Sequence, residues 1–466
     1  MDDVDVIVIG GGPAGENAAG RCAAGGLDVV VVEGELVGGE CSYWGCIPSK
    51  TLIRPGDVLA AARRAPGASQ SVTGGVDAAA AFAQRDYMTN NWDDSGQATC
   101  LADNHITLVR GTGRLAGERV VGVETPADGT RELRARRAVV LATGTRPAIP
   151  PVDGLRDIPV WDNRDATAAK DLPGRLLVLG GGAIGSELTQ AFRRLGSRDV
   201  TVVESAPRLL AREEEFASNE VRAAFEAEDI TVITGVAMAA VRRDGPNGAV
   251  TATLADGRSL TGDEILVAVG RRPKTTDIGL DTVGLSPGGY LEVDDWMRVT
   301  GVPAGWLYAV GDCNGRALFT HMGKYHGRVA ADVILGRSLR RGATDVVPRV
   351  TFTDPQVCAV GRTEAQARLA GLNVRTVTSA LGDVPGAYVQ GNGIKGTSKL
   401  VVDADRDVIV GATFTGPTVQ ELLHSATVAI VAEVPLDQLW HAVPSFPTVS
   451  EIWLSLLEAY ESPGTK

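Results

Sequence analysis

The sequence predicts an α/β protein built on two dinucleotide-binding units, because one local pattern occurs twice and a cysteine pair follows its first copy. In each copy an apolar strand runs into a G-x-G-x-x-G turn, a helix follows, and a second apolar strand ends in glutamate. The first copy uses residues 5–9, then Gly10, Gly12 and Gly15, then an alanine-rich helix and a strand over 27–32 that leads into Glu33. The second uses residues 175–179, then Gly180, Gly182 and Gly185, a helix to about Leu195, and residues 200–203 leading into Glu204. Glycines at these places let the backbone approach a pyrophosphate, which then rests on the helix N-terminus. Each glutamate lies close to the roughly 20-residue offset at which a carboxylate accepts hydrogen bonds from ribose hydroxyls. Two complete copies imply two dinucleotides held by one chain. The alternative, doubly wound domains with glycine turns and no ligand, leaves two acids in register unexplained.

Composition bounds the rest. A chain of 466 residues exceeds one core and should hold two to four domains. Its residues are 44% apolar and 22% charged, ordinary for a globular protein. The net charge of −12 makes a nucleic-acid partner unexpected. No run reaches the length of a membrane-spanning helix, and the acidic start M-D-D-V-D is unlike a signal peptide, so a cytoplasmic protein is expected. Of six cysteines only Cys41 and Cys46 are closely spaced, which is no secreted disulfide framework, and no metal site is expected.

That pair sits in C-S-Y-W-G-C-I-P-S-K, residues 41–50, between the first nucleotide unit and an apparent helix start. The intervening loop is short enough for the two sulfurs to reach disulfide distance. A cysteine at a helix N-terminus is expected to have a lowered pKa, and the thiolate is the form that attacks disulfides. Pro48 fits an opening helical turn, and Lys50 adds positive charge nearby. A redox dithiol and two buried reduced thiols both fit the local sequence.

With these landmarks in this order, the chain resembles the pyridine nucleotide-disulfide oxidoreductase family, which includes dihydrolipoamide dehydrogenase, glutathione reductase and mercuric reductase. Further motifs extend the likeness nearly end to end. V-V-L-A-T-G-T-R-P with Thr143 and Gly144 resembles the exit from the first domain, and V-A-V-G-R-R-P around Gly270 the return from the second. Y-A-V-G-D-C contains Asp312, at the position that binds the flavin ribityl chain, and F-T-D-P-Q-V-C-A-V-G resembles the opening of the dimer-forming domain. The resemblance implies two Rossmann-like dinucleotide-binding domains plus a C-terminal α+β dimerisation domain. The FAD-binding domain takes residues 1–150 and 271–343, the NAD(P)H-binding domain 151–270 and the interface domain 344–466. The proline-rich stretch 147–151 and the segment 336–344 mark the crossings. A homodimer is implied, in which two subunits complete each active site.

Roles follow position by position. Cys46 corresponds to the thiol beside the flavin and Cys41 to the interchange thiol that meets substrate. Lys50, near the flavin N5 edge, pairs with Glu187. Thr320 and Gly113 match backbone contacts to the flavin and to the FAD adenine. Glu204 favours NADH over NADPH, since a carboxylate repels a 2′-phosphate, although Arg208 and Arg212 follow closely. The departure is at the C-terminus. The family carries a histidine before P-T, with glutamate beyond it. Here Pro447, Thr448 and Glu451 are in place while Phe446 occupies the histidine's position. A phenyl ring moves no proton, so acid-base help worth about 10²- to 10⁴-fold is missing. His441 is better read as a packing or surface residue than as a substitute base. Glu40 replaces a threonine common in relatives, Ser42, Tyr43 and Trp44 fill the space between the cysteines, and Trp44 is similar to the soluble transhydrogenases. The cysteine pair that ends mercuric reductase is absent, the chain closing on E-S-P-G-T-K. The expected activity is hydride transfer from NADH through FAD and the dithiol to a small-molecule acceptor such as a quinone, metal ion or unusual disulfide. The alternatives are a lipoamide dehydrogenase-like or transhydrogenase-like enzyme, and a non-catalytic redox switch.

Overall fold

The computed structural model describes residues 2–125, 129–246, 248–337, 342 and 346–462. Most of the crossing expected over 336–344, and the last four residues of the chain, lie outside them. The chain divides into two compact units, one of residues 1–48, 85–148 and 271–344, the other of residues 49–84, 149–270 and 345–466.

In the first unit, Asp2–Ile9 pairs in parallel with Val29–Glu33 on one side and Gly129–Leu141 on the other. Ile106–Arg110 extends the parallel edge beyond Val29–Glu33, and Leu307–Ala309 pairs in parallel with the far half of Gly129–Leu141. The near half of that long strand turns antiparallel to Val120–Thr125, which pairs with Thr112–Gly117. The central strands read as unbroken Val and Ile because both sheet faces are covered; Val6, Ile7, Val8, Val29 and Val31 are fully buried. Helices Pro13–Ala24 and Thr320–Ile334 meet closely, since a Cβ on Gly327 would lie 2.6 Å from the Ala14 carbonyl oxygen. Thr145–Pro147 pairs with Arg271–Pro273, so the chain leaves and re-enters this unit along two adjacent antiparallel strands.

The second unit repeats the nucleotide pattern as a parallel sheet in the order Thr231–Thr234, Asp199–Glu204, Arg175–Leu179, Glu264–Val267. It also contains an antiparallel three-strand sheet over 238–262, and the five-strand antiparallel sheet of residues 349–416 with helices Leu423–Val431 and Ile452–Glu461. The core of that last part centres on Phe414, Leu400, Val402 and Leu456.

His326, on Thr320–Ile334, is fully buried, with Nδ1 3.4 Å from the Asn314 amide nitrogen and no partner for Nε2. Burial, with Arg316 adding to it, pushes its pKa down to about 4. The folded pKa is below the unfolded one, so the stability tied to neutral His326 is complete above pH about 6.5 and is lost as the pH falls toward 4. By pH 4 this loss reaches about 3 kcal/mol. A His326→Gln variant should therefore lose less thermal stability than the parent on acidification, as melting curves at pH 7 and pH 4 will show.

Candidate active site

Both glycine turns have the same construction. Gly10 and Gly180 take φ of +108° and +110°, and Gly15 and Gly185 pack so tightly that a Cβ would lie 2.0 and 1.9 Å from the carbonyl oxygens of Gly10 and Gly180. Gly12 and Gly182 are different. Each is the N-cap of its helix without a side-chain cap, and a Cβ there would meet only Gly39 Cα at 3.9 Å or nothing within 4 Å. The space kept open above two uncapped helix starts is a cradle for a pyrophosphate, so the residues present fit a dinucleotide in each unit. Glu33 accepts from the amides of Gly11 (2.6 Å) and Glu35 (2.7 Å). Glu204 does the same for Gly181 and Ala206, both at 2.7 Å. The two acids thus hold their own turns, and their remaining lone pairs are what a ribose could use.

Arg208 is committed within its own loop. Its guanidinium donates to the carbonyls of Leu210, Ala211 and Glu213 and to the Ser218 hydroxyl. Arg212 is exposed. Gly113 lies in the strand Thr112–Gly117, where a Cβ would meet Val32 at 3.0 Å. Thr143 and Gly144 follow the long strand, Gly144 at φ +68° with its carbonyl accepting from Lys274 N at 3.0 Å. Gly270, at φ +128°, ends the second parallel sheet's return.

Asp312 lies in a short 3-10 turn, Gly311–Asn314, and accepts from Thr145 Oγ1 at 2.8 Å. Thr145 Oγ1 in turn accepts from Arg271 Nε at 2.6 Å, and Arg271 Nη2 stands 3.4 Å from Glu40 Oε2. Burial raises the Asp312 pKa, against the Thr145 bond and Arg271. Arg271 and Thr145 are additions to the site. The available signal was a cation directly after Gly270 in the return motif, and it explains how a carboxylate at position 40, beside Cys41, is neutralised.

Cys41 sits in the short helix Gly39–Tyr43 and Cys46 opens the helix Cys46–Arg64. Gly45 makes the turn between them, since a Cβ would lie 3.0 Å from the Glu40 carbonyl oxygen. Both cysteines are unbridged thiols, and Cys46 Sγ lies 3.3 Å from Thr320 Oγ1, at the first residue of Thr320–Ile334. The lowering expected of a cysteine at a helix N-terminus concerns Cys46, which opens its helix, and Cys41 is a separate case. Its pKa is raised, first by the hydrogen bond with Cys46 and then by burial, while Thr320 and Lys324 oppose.

In the second unit Lys50 Nζ donates to Glu187 Oε2 at 2.6 Å, as the resemblance implied. Glu187, 6% exposed, also accepts from Phe352 N at 2.9 Å, and the Phe352 ring lies under the ammonium at 4.9 Å. Phe352 is a further site residue whose aromatic ring in F-T-D-P was the only sequence signal. Phe446 is 74% exposed. Glu451 Oε2 is buried without a hydrogen-bond partner. His441 is exposed beyond the helix Leu436–Leu439.

Residues 4–329 match the pyridine nucleotide-disulphide oxidoreductase family and residues 347–456 match that family's dimerisation domain. The dihydrolipoyl dehydrogenase of Thermus scotoductus is 34% identical over 99% of this chain and 98% of its own length. The mercuric reductase of Streptomyces lividans is 34% identical over 94% of this chain and 92% of its own. Among solved structures, the Cu(II) complex of the HOCl-induced flavoprotein disulfide reductase RclA from Escherichia coli superposes with a TM-score of 0.86 at 26% identity, covering 98% of this chain and 99% of that one. Two dinucleotide cradles and an adjacent dithiol thus define an NAD(P)H-dependent flavoprotein disulfide oxidoreductase with FAD as its bound cofactor. The chain belongs to the pyridine nucleotide-disulphide oxidoreductase family, and its dimerisation domain supports a homodimer. Among the described residues no helix is long and apolar enough to cross a membrane.

Proposed function

We propose that the chain passes electrons from NADH through FAD to the Cys41 and Cys46 pair, and on to a small-molecule acceptor that needs little proton transfer, such as a quinone, a metal ion or an unusual disulfide. The observation that carries this reading is Phe446, 74% exposed at the position of the family's acid-base histidine. In domain terms, 1–150 with 271–343 holds FAD, 151–270 holds NADH and 344–466 forms the interface. FAD, when bound, accepts hydride from the nicotinamide and delivers electrons in pairs. The protein's residues do the rest. Gly12 and Gly182 admit the pyrophosphates, Asp312 accepts from the ribityl chain, and the Lys50 and Glu187 pair places a cation at the flavin. The oxidised Cys41–Cys46 bond breaks on taking two electrons and forms again when the acceptor takes them. Without a histidine the outgoing pair relies on acceptors that accept electrons ahead of protons.

NADH is the donor in this reading, supported by Glu204 beside the turn and by an Arg208 already spent on carbonyls. We expect kcat/KM for NADH to exceed that for NADPH by about 10²-fold, or roughly 2.8 kcal/mol. We also expect quinones or ferricyanide to outpace lipoamide and glutathione disulfide. An NADPH preference, or efficient lipoamide turnover, would overturn the respective halves. The 34% identity to a dihydrolipoyl dehydrogenase favours a second reading, a conventional disulfide reductase with another base. A strong pH dependence that disappears in His441→Ala would establish it. Cysteines that are all unbridged among the described residues accord with a cytoplasmic site of action.

A further inference from the structure

We propose that Arg194 is a positioning residue for Lys50, acting through a ladder of ion pairs that fixes the helix Cys46–Arg64 in register against the helix Ala183–Leu195. This rests on the reading of Lys50 as a flavin-site residue, and it concerns residues of the second unit alone.

The ladder follows from helical geometry. Two turns of α-helix take about 7 residues, so Lys50, Asp57 and Arg64 lie on one face and Glu187 and Arg194 on the facing helix. Lys50 meets Glu187 at 2.6 Å, and two turns on Asp57 meets Arg194 Nη1 at 3.1 Å. The signs alternate along each face, plus, minus, plus against minus, plus. Any slip that brought Lys50 toward Arg194 or Asp57 toward Glu187 would set like charges together, so the pattern selects one register.

Arg194 is the centre of the second rung. Its Nη2 lies 2.7 Å from Glu228 and 2.8 Å from Asp354, and Asp354 also accepts from Arg64 Nη1 at 2.9 Å. Gln190, one turn before Arg194, bonds the Asp354 amide at 2.7 Å and its carbonyl at 3.0 Å. Asp354 stands two residues past Phe352, whose amide and ring hold Glu187 and Lys50. The first rung is therefore braced from both sides by the second. The side chains are withdrawn from water, Arg194 being 15% and Asp354 13% exposed, so screening is weak and a lost partner is felt.

Gly56 completes the case. A glycine inside a helix costs about 0.5–1 kcal/mol relative to alanine and calls for a reason. Here a Cβ would lie 2.8 Å from Arg194 Cδ and 3.1 Å from its Cβ. The missing side chain is the groove in which Arg194 lies across the partner helix.

Arg194→Met should lower kcat about tenfold with the KM for NADH unchanged, because the Gly180–Gly185 turn and Glu204 are untouched. It should also move the flavin midpoint potential in the same direction as Lys50→Met. Arg194→Lys, which keeps the charge without the planar fork, should recover part of both effects. In a Glu187→Gln background, Arg194→Met should add little, since the rung it braces is already lost. Fully additive losses with an unmoved potential would overturn the proposal and leave Arg194 a stabilising residue only. A parental potential and kcat in Lys50→Met would overturn the reading of Lys50 and the inference together. Retention of FAD and of the melting temperature by Asp57→Asn, with a shifted potential, separates positioning from loss of fold.

Discussion

Cys46→Ser is expected to bind FAD normally, to lose the long-wavelength absorbance that a thiolate beside oxidised flavin gives during anaerobic NADH titration, and to lose turnover by on the order of 10³-fold with acceptors that use the dithiol. A serine hydroxyl neither ionises near neutral pH nor forms the bond that stores the electron pair. Cys41→Ser should differ in kind. It removes the thiol proposed to meet the acceptor and leaves Cys46 against Thr320 Oγ1 at 3.3 Å, so the absorbance should persist while turnover falls. Unchanged turnover in both variants would show that acceptors draw electrons from the flavin directly.

Gly182→Val should fold and yet fail with NADH. A Cβ at Gly182 has no atom within 4 Å and its φ of −74° suits any residue, so the protein tolerates the side chain. The added isopropyl fills the space where a pyrophosphate must approach the helix start. The KM for NADH should rise about 10²-fold or more, a loss of roughly 2.8 kcal/mol, while FAD content and reduction by dithionite stay at the parental level. Gly185→Val is the contrasting case. Its Cβ would lie 1.9 Å from a backbone oxygen, so the turn itself must break and soluble yield should drop. Normal NADH kinetics in Gly182→Val would dissociate that turn from the nucleotide.

The nucleotide turns were legible because glycine spacing is a local signal, and Gly10, Gly15, Gly180 and Gly185 carry the conformations and close approaches their positions demand. Glu33 and Glu204 were found by offset, but their grip on the amides of Gly11 and Gly181 was not visible, since it depends on how each strand end folds back. Lys50 and Glu187 are 137 residues apart, and only family likeness could pair them. Arg271, Thr145, Phe352 and Arg194 were missed for the same reason. Each acts on a partner that lies in a distant segment, and no periodicity records that. The raised pKa of Cys41 was not legible either, because it comes first from the hydrogen bond with Cys46 and then from burial, and a helix dipole argument treats one cysteine at a time.

The pairing of Thr145–Pro147 with Arg271–Pro273 makes the segment between them a cassette whose two ends share one doorway. On the proposed reading, in which that segment binds the donor, a module with ends equally close could be exchanged there without redrawing the host sheet, and nicotinamide preference would be open to transplantation as well as to point mutation. The exchange carries one condition. The incoming module must bring an acid and an arginine two turns apart on the helix that follows its glycine turn, because those groups are the teeth that mesh with Lys50 and Asp57.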